Sequence, residues 1–534
     1  MSEVEIILVL LAGVTGLAAL ARRIKIPYPI LLVLGGLALA FVPHLPEIEL
    51  DPEIVFVVFL PPLLFSSAYF TSWRDFRANL RPIGLLAVGL VLTTTVGVAV
   101  VAHRVAGLPW ASAFVLGAIV SPTDAIAATT IAQRLGVPRR IVTVLEGESL
   151  VNDATGIVAY RIALGVVAGA AFSLTESVLL FVVGAAGGIA VGLAIGWLTI
   201  KTLTFLDDAP VETVVTLLAP FAAYLVAEEG PHIVWHELLG LPGDPFFSGV
   251  LSAVAAGIYV GRMSPTLFSV TSRLEGGPVW NVVIFILNGL AFALIGLQLP
   301  IILEGLSEFT ASDLLLYATL VSLAVILVRV AWVYPATYVP RWMSRSLRER
   351  DPAPPPGPVA VIAWTGMRGV ISLAAALALP LNVPGRDLIL FLTFSVILAT
   401  LVIQGLSLPV LIRALKLEDD GSTEKEENKG RIKVADAAIA RIEELAEEEW
   451  VREDTAERIR GLYNYRRSRF KIRFGAEDED GIEERSTNYQ RLLHELLQAQ
   501  RDELIRLRDE GYIGDEAMHR IERDLDLEEA RLDA

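Results

Sequence analysis

Apolar residues run through most of this chain in long unbroken stretches rather than in the one-sided stripes of a soluble domain. A run of about 20 apolar residues is what an α-helix needs to cross the hydrocarbon core of a bilayer. About thirteen runs approach that length, and we predict a transmembrane helix in each. In chain order, predicted spans 1 to 13 cover residues 4–21, 27–43, 53–70, 82–103, 110–133, 141–170, 175–203, 211–228, 246–261, 278–299, 312–337, 358–379 and 386–414.

The composition agrees with an all-α polytopic membrane protein. Of the 534 residues, 54% are hydrophobic and 19% are charged, and the mean hydropathy is +0.57. The formal charge is −16, of which about −13 lies from Glu418 onward. We therefore predict a transmembrane domain over 1–415 and a charged helical tail over 416–534. Because the chain has no cysteine, disulfides, thiolate metal sites and cysteine nucleophiles are excluded.

The tail has no phosphate loop and no metal-ligand spacing, so we expect no cofactor there. It is interpreted as a solvated helical appendage, and a regulatory or dimer-supporting role is the alternative. Basic residues predict the sidedness, because loops on the cytoplasmic side are enriched in Arg and Lys. The loops after the odd-numbered spans are basic, whereas the opposite loops carry only Arg104 and Arg386. This places the N-terminus outside a cell membrane and the tail in the cytoplasm.

One polar segment, residues 147–156, interrupts the apolar run of span 6. An ionisable residue at membrane depth is costly and is therefore a functional hypothesis. Ser149 and Asp153 are four residues apart and share one helical face, while Glu148 and Asn152 form a neighbouring pair. Hard oxygens on one face suit a small cation, and a single carboxylate also binds a proton, so both ligands compete for Asp153. The alternative is a polar cluster that only holds helices together, which glycine, serine and threonine would do at lower cost.

Two other spans contain helix-breaking residues at mid-depth. Span 5 has Ser121-Pro122-Thr123-Asp124, and span 12 has the glycine-interrupted segment 364–369 with Arg368. Paired interrupted helices are typical of transporter sites. The two spans are seven apart, which reverses their orientation, so we predict two inverted six-helix repeats. We expect the two discontinuous helices of spans 5 and 12 to cross near Asp153. Asp124 and Arg368 would then balance the partial charges of the exposed helix ends.

Arg329 in span 11 lies too deep in an apolar run to reach water easily. Glu148 is the acid without an evident partner in the polar segment. We predict a buried Glu148–Arg329 ion pair that fixes span 6 against span 11, because breaking such a pair costs about 3–5 kcal/mol.

Four segments together resemble the monovalent cation:proton antiporter-1 family, which includes NhaP-type and NHE-type sodium/proton exchangers. They are Leu60-Pro61-Pro62-Leu63-Leu64-Phe65, Ser121-Pro122-Thr123-Asp124, Gly147-Glu148-Ser149-Leu150-Val151-Asn152-Asp153-Ala154 and Gly366-Met367-Arg368-Gly369. The resemblance covers about residues 1–415. It implies a homodimer in which each protomer has a dimerisation domain and a mobile core domain.

The resemblance also assigns roles to residues. It implies that Asp153 carries Na⁺, or also Li⁺, and H⁺ in turn by alternating access, and that Thr123 and Ser149 supply oxygen ligands. Asn152 stands where electrogenic relatives have Asp, which implies electroneutral one-for-one exchange. Many relatives have an acid where this chain has Ser66, so Ser66 is only a doubtful cation ligand.

Three other functions stand beside sodium/proton exchange. Potassium/proton exchange is the closest alternative. A cation channel is less favoured, because pores usually show charge rings or repeated filter loops rather than one titratable Asp. An enzyme is not expected, since no nucleophile with a base and no metal triad lies in the spans. The expected partners are Na⁺ (or K⁺ or Li⁺), H⁺ and the lipid bilayer, without nucleic acid.

Overall fold

The computed structural model describes residues 3–42, 50–233, 246–417, 419, 421–474 and 481–533, and regular structure within these ranges is helical throughout. The chain divides into two units, Met1–Asp419 and Asp420–Ala534. The main helices of the first unit are α1 Glu3–Ile24, α2 Tyr28–Ala40, α3 Pro52–Phe70, α4 Leu80–Ala106, α5 Trp110–Val120, α6 Ala125–Arg134, α7 Arg139–Val167, α8 Leu174–Leu203, α9 Ala209–His232, α10 Gly249–Leu267, α11 Val270–Leu297, α12 Ala311–Met343, α13 Pro356–Trp364, α14 Val370–Leu377 and α15 Arg386–Ala414.

Nine helical segments within the described residues are long and apolar enough to cross a membrane, and the apolar α2 is shorter. The protein is therefore an all-helical, polytopic membrane protein, as its sequence predicts. Helices also occupy the remaining predicted runs, but the count of thirteen membrane crossings stays a prediction. Three short helices, Trp73–Ala78, Leu299–Glu304 and Arg345–Arg350, lie between the long ones.

The interruption between α5 and α6 has a local cause. Pro122 lacks a backbone donor, so the helix cannot continue through it without losing a hydrogen bond. α6 then starts afresh at Ala125, where the carboxylate of Asp124 accepts a hydrogen bond from the Ile126 amide at 2.8 Å. This is an N-cap, which satisfies one of the amides left without a partner at a helix start.

The second interruption, between α13 and α14, lies in a segment that contains two glycines. Thr365 leaves the helical conformation with φ −80° and ψ 78°, and Gly369 is extended before α14 begins at Val370. A β carbon on Gly369 would lie within 3 Å of the Asp124 carboxylate carbon. Glycine is therefore required there by the close approach of the first interruption.

α8 packs closely on α10 through buried glycines at intervals of four residues, namely Gly184, Gly188, Gly192 and Gly196. β carbons on Gly188 and Gly192 would collide with the carbonyl groups of Ser248 and Ser252. Small residues at helical spacing allow two backbones to approach in this way.

An ion-pair cluster joins one end of α4, α7 and α12. Asp351, which follows the helix Arg345–Arg350, lies 2.6 Å from Arg341, 2.8 Å from Arg140 and 3.5 Å from Arg81. Partial burial raises the pKa of Asp351, but the hydrogen bond from Arg140 and the charges of all three arginines outweigh it and hold the pKa below its ordinary value. The carboxylate thus stabilises this end of the three helices as long as it is ionised.

The second unit contains four helices, α16 Ser422–Leu445, α17 Glu453–Arg473, α18 Ile482–Asp509 and α19 Asp515–Asp533. α18 and α19 enclose a small apolar cluster of Leu497, Leu504, Met518 and Leu525. Arg501 also pairs with Asp526 at 2.5 Å and with Glu529 at 2.6 Å. A role for this unit in regulation or dimerisation stays a prediction.

Candidate cation site

The two helix interruptions lie directly against each other. The amide of Asp124 donates a hydrogen bond to the carbonyl oxygen of Met367 at 2.8 Å. The Asp124 carboxylate caps α6, so a negative charge faces the positive end of that helix dipole. Backbone groups released by both breaks are thereby paired, as burial in a membrane protein requires.

Arg368 occupies the opposite position, at the negative end of α5. Its side chain is fully buried, and Nε donates to the carbonyl oxygen of Val120, the last residue of α5, at 2.9 Å. Nη1 donates to the carbonyl oxygen of Gly366, and its backbone amide donates to Thr400 Oγ1 at 3.2 Å. The structure thus brings Asp124 and Arg368 to oppositely charged helix ends around one break.

The structure also brings Glu148 and Arg329 together as a two-pronged pair. Arg329 Nη1 lies 2.5 Å from Glu148 Oε1, and Nη2 lies 2.9 Å from Oε2. The exposed fractions of the two side chains are 0% and 2%, so neither charge is screened by water. Arg329 Nε donates to the Ile362 carbonyl oxygen at 3.1 Å, which extends the connection from α7 and α12 to α13.

Thr123 is fixed by two residues of α7. Its hydroxyl donates to Glu148 Oε1 at 2.9 Å and accepts a hydrogen bond from Asn152 Nδ2 at 2.8 Å, and the same nitrogen donates to the Thr123 carbonyl oxygen at 3.1 Å. A hydroxyl has one proton and two lone pairs, so one lone pair of Thr123 remains for a ligand. Glu148 and Asn152 therefore position Thr123.

A cavity of about 110 Å³ adjoins these residues. Since one water takes about 30 Å³ of liquid volume, the cavity has room for a small ion with a few waters. It is bounded by α3, α7, α11 and both interruptions. Four predicted site residues line it, namely Thr123, Asp124, Ser149 and Asp153.

Asp153 is a fully buried acid in this wall that lacks a compensating charge. It is 3% exposed, and within the described part of the chain its carboxylate has no hydrogen-bond or ion-pair partner. A buried carboxylate in that state is strongly disfavoured unless it takes up a proton or a cation. The geometry therefore suits alternating occupation of Asp153 by the two ligands.

Ser66 does not reach the cavity. It is buried, and its hydroxyl donates to the carbonyl oxygen of Leu63 at 2.9 Å. The next residue, Ser67, lines the cavity instead. The segment after Pro61-Pro62 thus contributes a hydroxyl to the cavity wall, but from Ser67 rather than from Ser66, the position that the family resemblance suggested.

Two further residues in the cavity wall were missed by sequence reasoning. Glu146 lines it, and it precedes Ser149 by three and Asp153 by seven residues, a spacing that places all three on one face of α7. Asn288 lines it from α11 and is 2% exposed. The run 278–299 contains two asparagines, Asn281 and Asn288, and the position of Asn288 in the middle of that run was the signal available for it.

Comparison with known proteins places the chain in context. The family described as "Sodium/hydrogen exchanger, transmembrane" matches residues 6–414. An uncharacterized Na⁺/H⁺ exchanger of Mycobacterium bovis is 33% identical over 541 residues, which cover 99% of this chain and 96% of that protein. A "sodium, potassium, lithium and rubidium/H⁺ antiporter" of Bacillus pumilus is 34% identical over 426 residues, covering 76% of this chain and 60% of that protein.

A solved structure shares the fold. The sodium/proton antiporter MjNhaP1 of Methanocaldococcus jannaschii, determined at pH 8, matches with a TM-score of 0.62 and 21% identity. The match covers 78% of this chain and 98% of that one, an extent that must include most of the unit Met1–Asp419.

Proposed function

Because the chain belongs to the transmembrane sodium/hydrogen exchanger family, a family of transporters rather than enzymes, we propose that it exchanges Na⁺ for H⁺ across the cell membrane, one for one, with Asp153 as the shared carrier. Ser149 and Thr123 supply further oxygen ligands for the cation. The observation that carries this proposal is the buried, uncompensated Asp153 carboxylate in the wall of an ion-sized cavity.

Alternating access couples the movement of the cation to the opposite movement of the proton, whichever ion moves inward. In the proposal, the protein is a homodimer whose core contains two inverted six-helix repeats with crossed interrupted helices. The core moves relative to the dimerisation domain only when Asp153 is neutralised by a proton or a cation. An ionised, empty Asp153 would have to cross a low-dielectric region as a bare charge, which is the costliest state. The N-terminus faces outward and the tail lies in the cytoplasm.

The decisive experiment measures Na⁺-driven proton movement in proteoliposomes with a pH-sensitive dye. Asp153→Asn should abolish exchange, because an amide neither releases a proton nor attracts a cation. Asp207→Asn, an exposed aspartate outside the cavity, is the matched control and should exchange normally. Exchange by Asp153→Asn at more than a few per cent of the wild-type rate would refute the carrier assignment. Cation flux without opposed proton movement would instead identify a channel.

The proposal extends to whether the protein also accepts K⁺ and Li⁺ in place of Na⁺. The Bacillus pumilus relative is described as a sodium, potassium, lithium and rubidium/H⁺ antiporter. This chain has Ser66 at the position where the resemblance leads us to expect an acid, and the Pro61-Pro62 segment contributes only the hydroxyl of Ser67 to the cavity wall. A neutral hydroxyl holds a cation less tightly than a carboxylate, so we expect weak discrimination among these ions. Titrating the same proteoliposomes with NaCl, LiCl and KCl tests it, and a preference above about 100-fold for one ion would contradict it.

A further inference from the structure

The three acids in residues 146–153 of α7 differ in how their charges are compensated. Glu148 is neutralised by Arg329, and the Asp153 carboxylate has no partner among the residues that the structure describes. Glu146 is half-buried, and within the described residues its only polar contact is Gln133 Nε2, which lies 3.4 Å from Oε1. That distance is at the long limit of a hydrogen bond, and an amide carries no charge to balance the carboxylate.

Glu146 and Asp153 point into the same cavity. Seven residues of α-helix advance about 10 Å along the axis and return to within about 20° of the same direction. Both side chains line the cavity, with Ser149 between them. The two carboxylates thus lie in sequence along one wall rather than on opposite faces of the helix.

Two polar residues of α6 lie near Glu146, one in the same cavity wall and one in direct contact with it. Thr129 also lines the cavity, and Gln133 follows it by one helical turn. The Thr129 hydroxyl donates to the Ala125 carbonyl oxygen at 2.9 Å, which leaves its lone pairs available. A carboxylate and a hydroxyl that line one cavity are hard-oxygen ligands of the kind that a partly hydrated monovalent cation accepts.

We propose that Glu146 is a second cation-binding carboxylate, which captures Na⁺ or a similar monovalent cation and delivers it to Asp153. This inference rests on the proposed function. Glu146 lies toward the end of α7 that begins at Arg139, the side predicted to be cytoplasmic. It therefore serves cations arriving from that side, and it leaves the one-for-one stoichiometry at Asp153 unchanged.

Glu146→Gln is the direct test, because glutamine keeps the shape and the contact with Gln133 and removes only the charge. Exchange is measured in inside-out and right-side-out membrane vesicles, with NaCl titrated on the outer face of each. We expect the apparent KM for Na⁺ to rise about 10-fold at the cytoplasmic face and to stay unchanged at the other, with the maximum rate within about twofold of wild type. Glu146→Asp should restore most of the affinity.

The controls separate a structural role from a binding role. Glu304→Gln removes an exposed carboxylate at the end of the helix Leu299–Glu304, so it should leave both KM values unchanged. An unchanged KM in Glu146→Gln, an equal rise at both faces, or a lower maximum rate with unchanged KM would overturn the proposal. If wild-type vesicles show no exchange, the proposed function itself fails. If wild type exchanges, Asp153→Asn does not and Glu146→Gln behaves as wild type, only the role of Glu146 is refuted.

Discussion

Replacing Glu148 with glutamine is expected to be among the most destabilising single changes in the transmembrane unit. Glutamine still accepts the hydrogen bond from the Thr123 hydroxyl, but it removes the one negative charge that contacts Arg329 in the described part of the chain. Arg368 is close by, since a β carbon on Gly366 would lie 2.6 Å from Arg329 Cδ and 2.9 Å from Arg368 Nη1. The variant thus leaves Arg329, a fully buried cation with a second one beside it, without an acid in contact with it among the described residues.

The magnitude follows from the burial and geometry of the pair. Two opposite charges about 4 Å apart attract by about 4 kcal/mol at an effective dielectric constant of 20. Breaking a buried pair by removing one partner costs about 3–5 kcal/mol, because the other charge stays buried. Since both side chains are essentially inaccessible, we expect Glu148→Gln to lie in that range.

Arg329→Met should behave differently, because the group left behind can adapt. Glu148 can take up a proton and become neutral, whereas an arginine stays charged in proteins. The cost of Arg329→Met should therefore fall as the pH is lowered, and that of Glu148→Gln should not. The double variant Glu148→Gln/Arg329→Met should be less destabilised than the sum of the single variants, since it leaves no unpaired charge from this pair.

Unfolding of the purified protein, followed by tryptophan fluorescence during denaturant titration at several pH values, measures these free energies. Glu304→Gln serves as the control for removing a carboxylate that is exposed. A loss below about 1 kcal/mol for Glu148→Gln would refute the reasoning, as would additivity of the two single variants.

Two further predictions concern stability. Asp351→Asn should lower the free energy of unfolding by about 1–2 kcal/mol at neutral pH. Because the folded pKa of Asp351 lies below its unfolded value, this difference should be complete above about pH 5 and disappear as the pH falls through the folded pKa; a difference that grows in acid would contradict the assignment. Gly156→Ala should cost about 1–3 kcal/mol, since a β carbon there would lie 3.1 Å from Pro122 Cδ and closer still to Cγ. Gly165→Ala on the same helix meets nothing within 4 Å, so it should be neutral or stabilising, and equal losses in thermal unfolding would show that packing is not the cause.

Sequence reasoning succeeded for features that cost much free energy inside a membrane and are therefore rare in an apolar run. The helical runs, the breaks around Pro122 and Gly366 and the lone Arg329 all stand out because hydrocarbon tolerates neither unpaired backbone groups nor isolated charges. Helix ends were less predictable. α11 begins at Val270, eight residues before the predicted start, because the Ser269 hydroxyl caps it and the helix continues through Pro278.

The parts that sequence reasoning could not supply depend on how helices are rotated against each other. Periodicity defines a face of α3 but not its direction toward a neighbour, so Ser66 was considered where Ser67 lines the cavity. The holding of Thr123 between Glu148 and Asn152 requires tertiary contact. The ion pair of Arg161 with Glu228 at 2.8 Å likewise joins two helices, α7 and α9, and depends on how they are rotated.

The balance of charges around the two helix interruptions bears on the proposed stoichiometry. Asp124, Glu148 and Asp153 supply three carboxylates, and Arg329 and Arg368 supply two guanidinium groups that stay ionised. With these three acids ionised, the five groups carry one net negative charge, and a single Na⁺ or a single proton brings it to zero; Glu146, about 10 Å farther along α7, lies outside this count. Glu148 is held by Arg329 and Asp124 by the N-terminus of α6, so Asp153 is the member left to accept that charge. Asn152, which donates to Thr123 through its amide, adds no second exchangeable charge, and a movement that requires a neutral cluster would then carry one cation one way for each proton the other way.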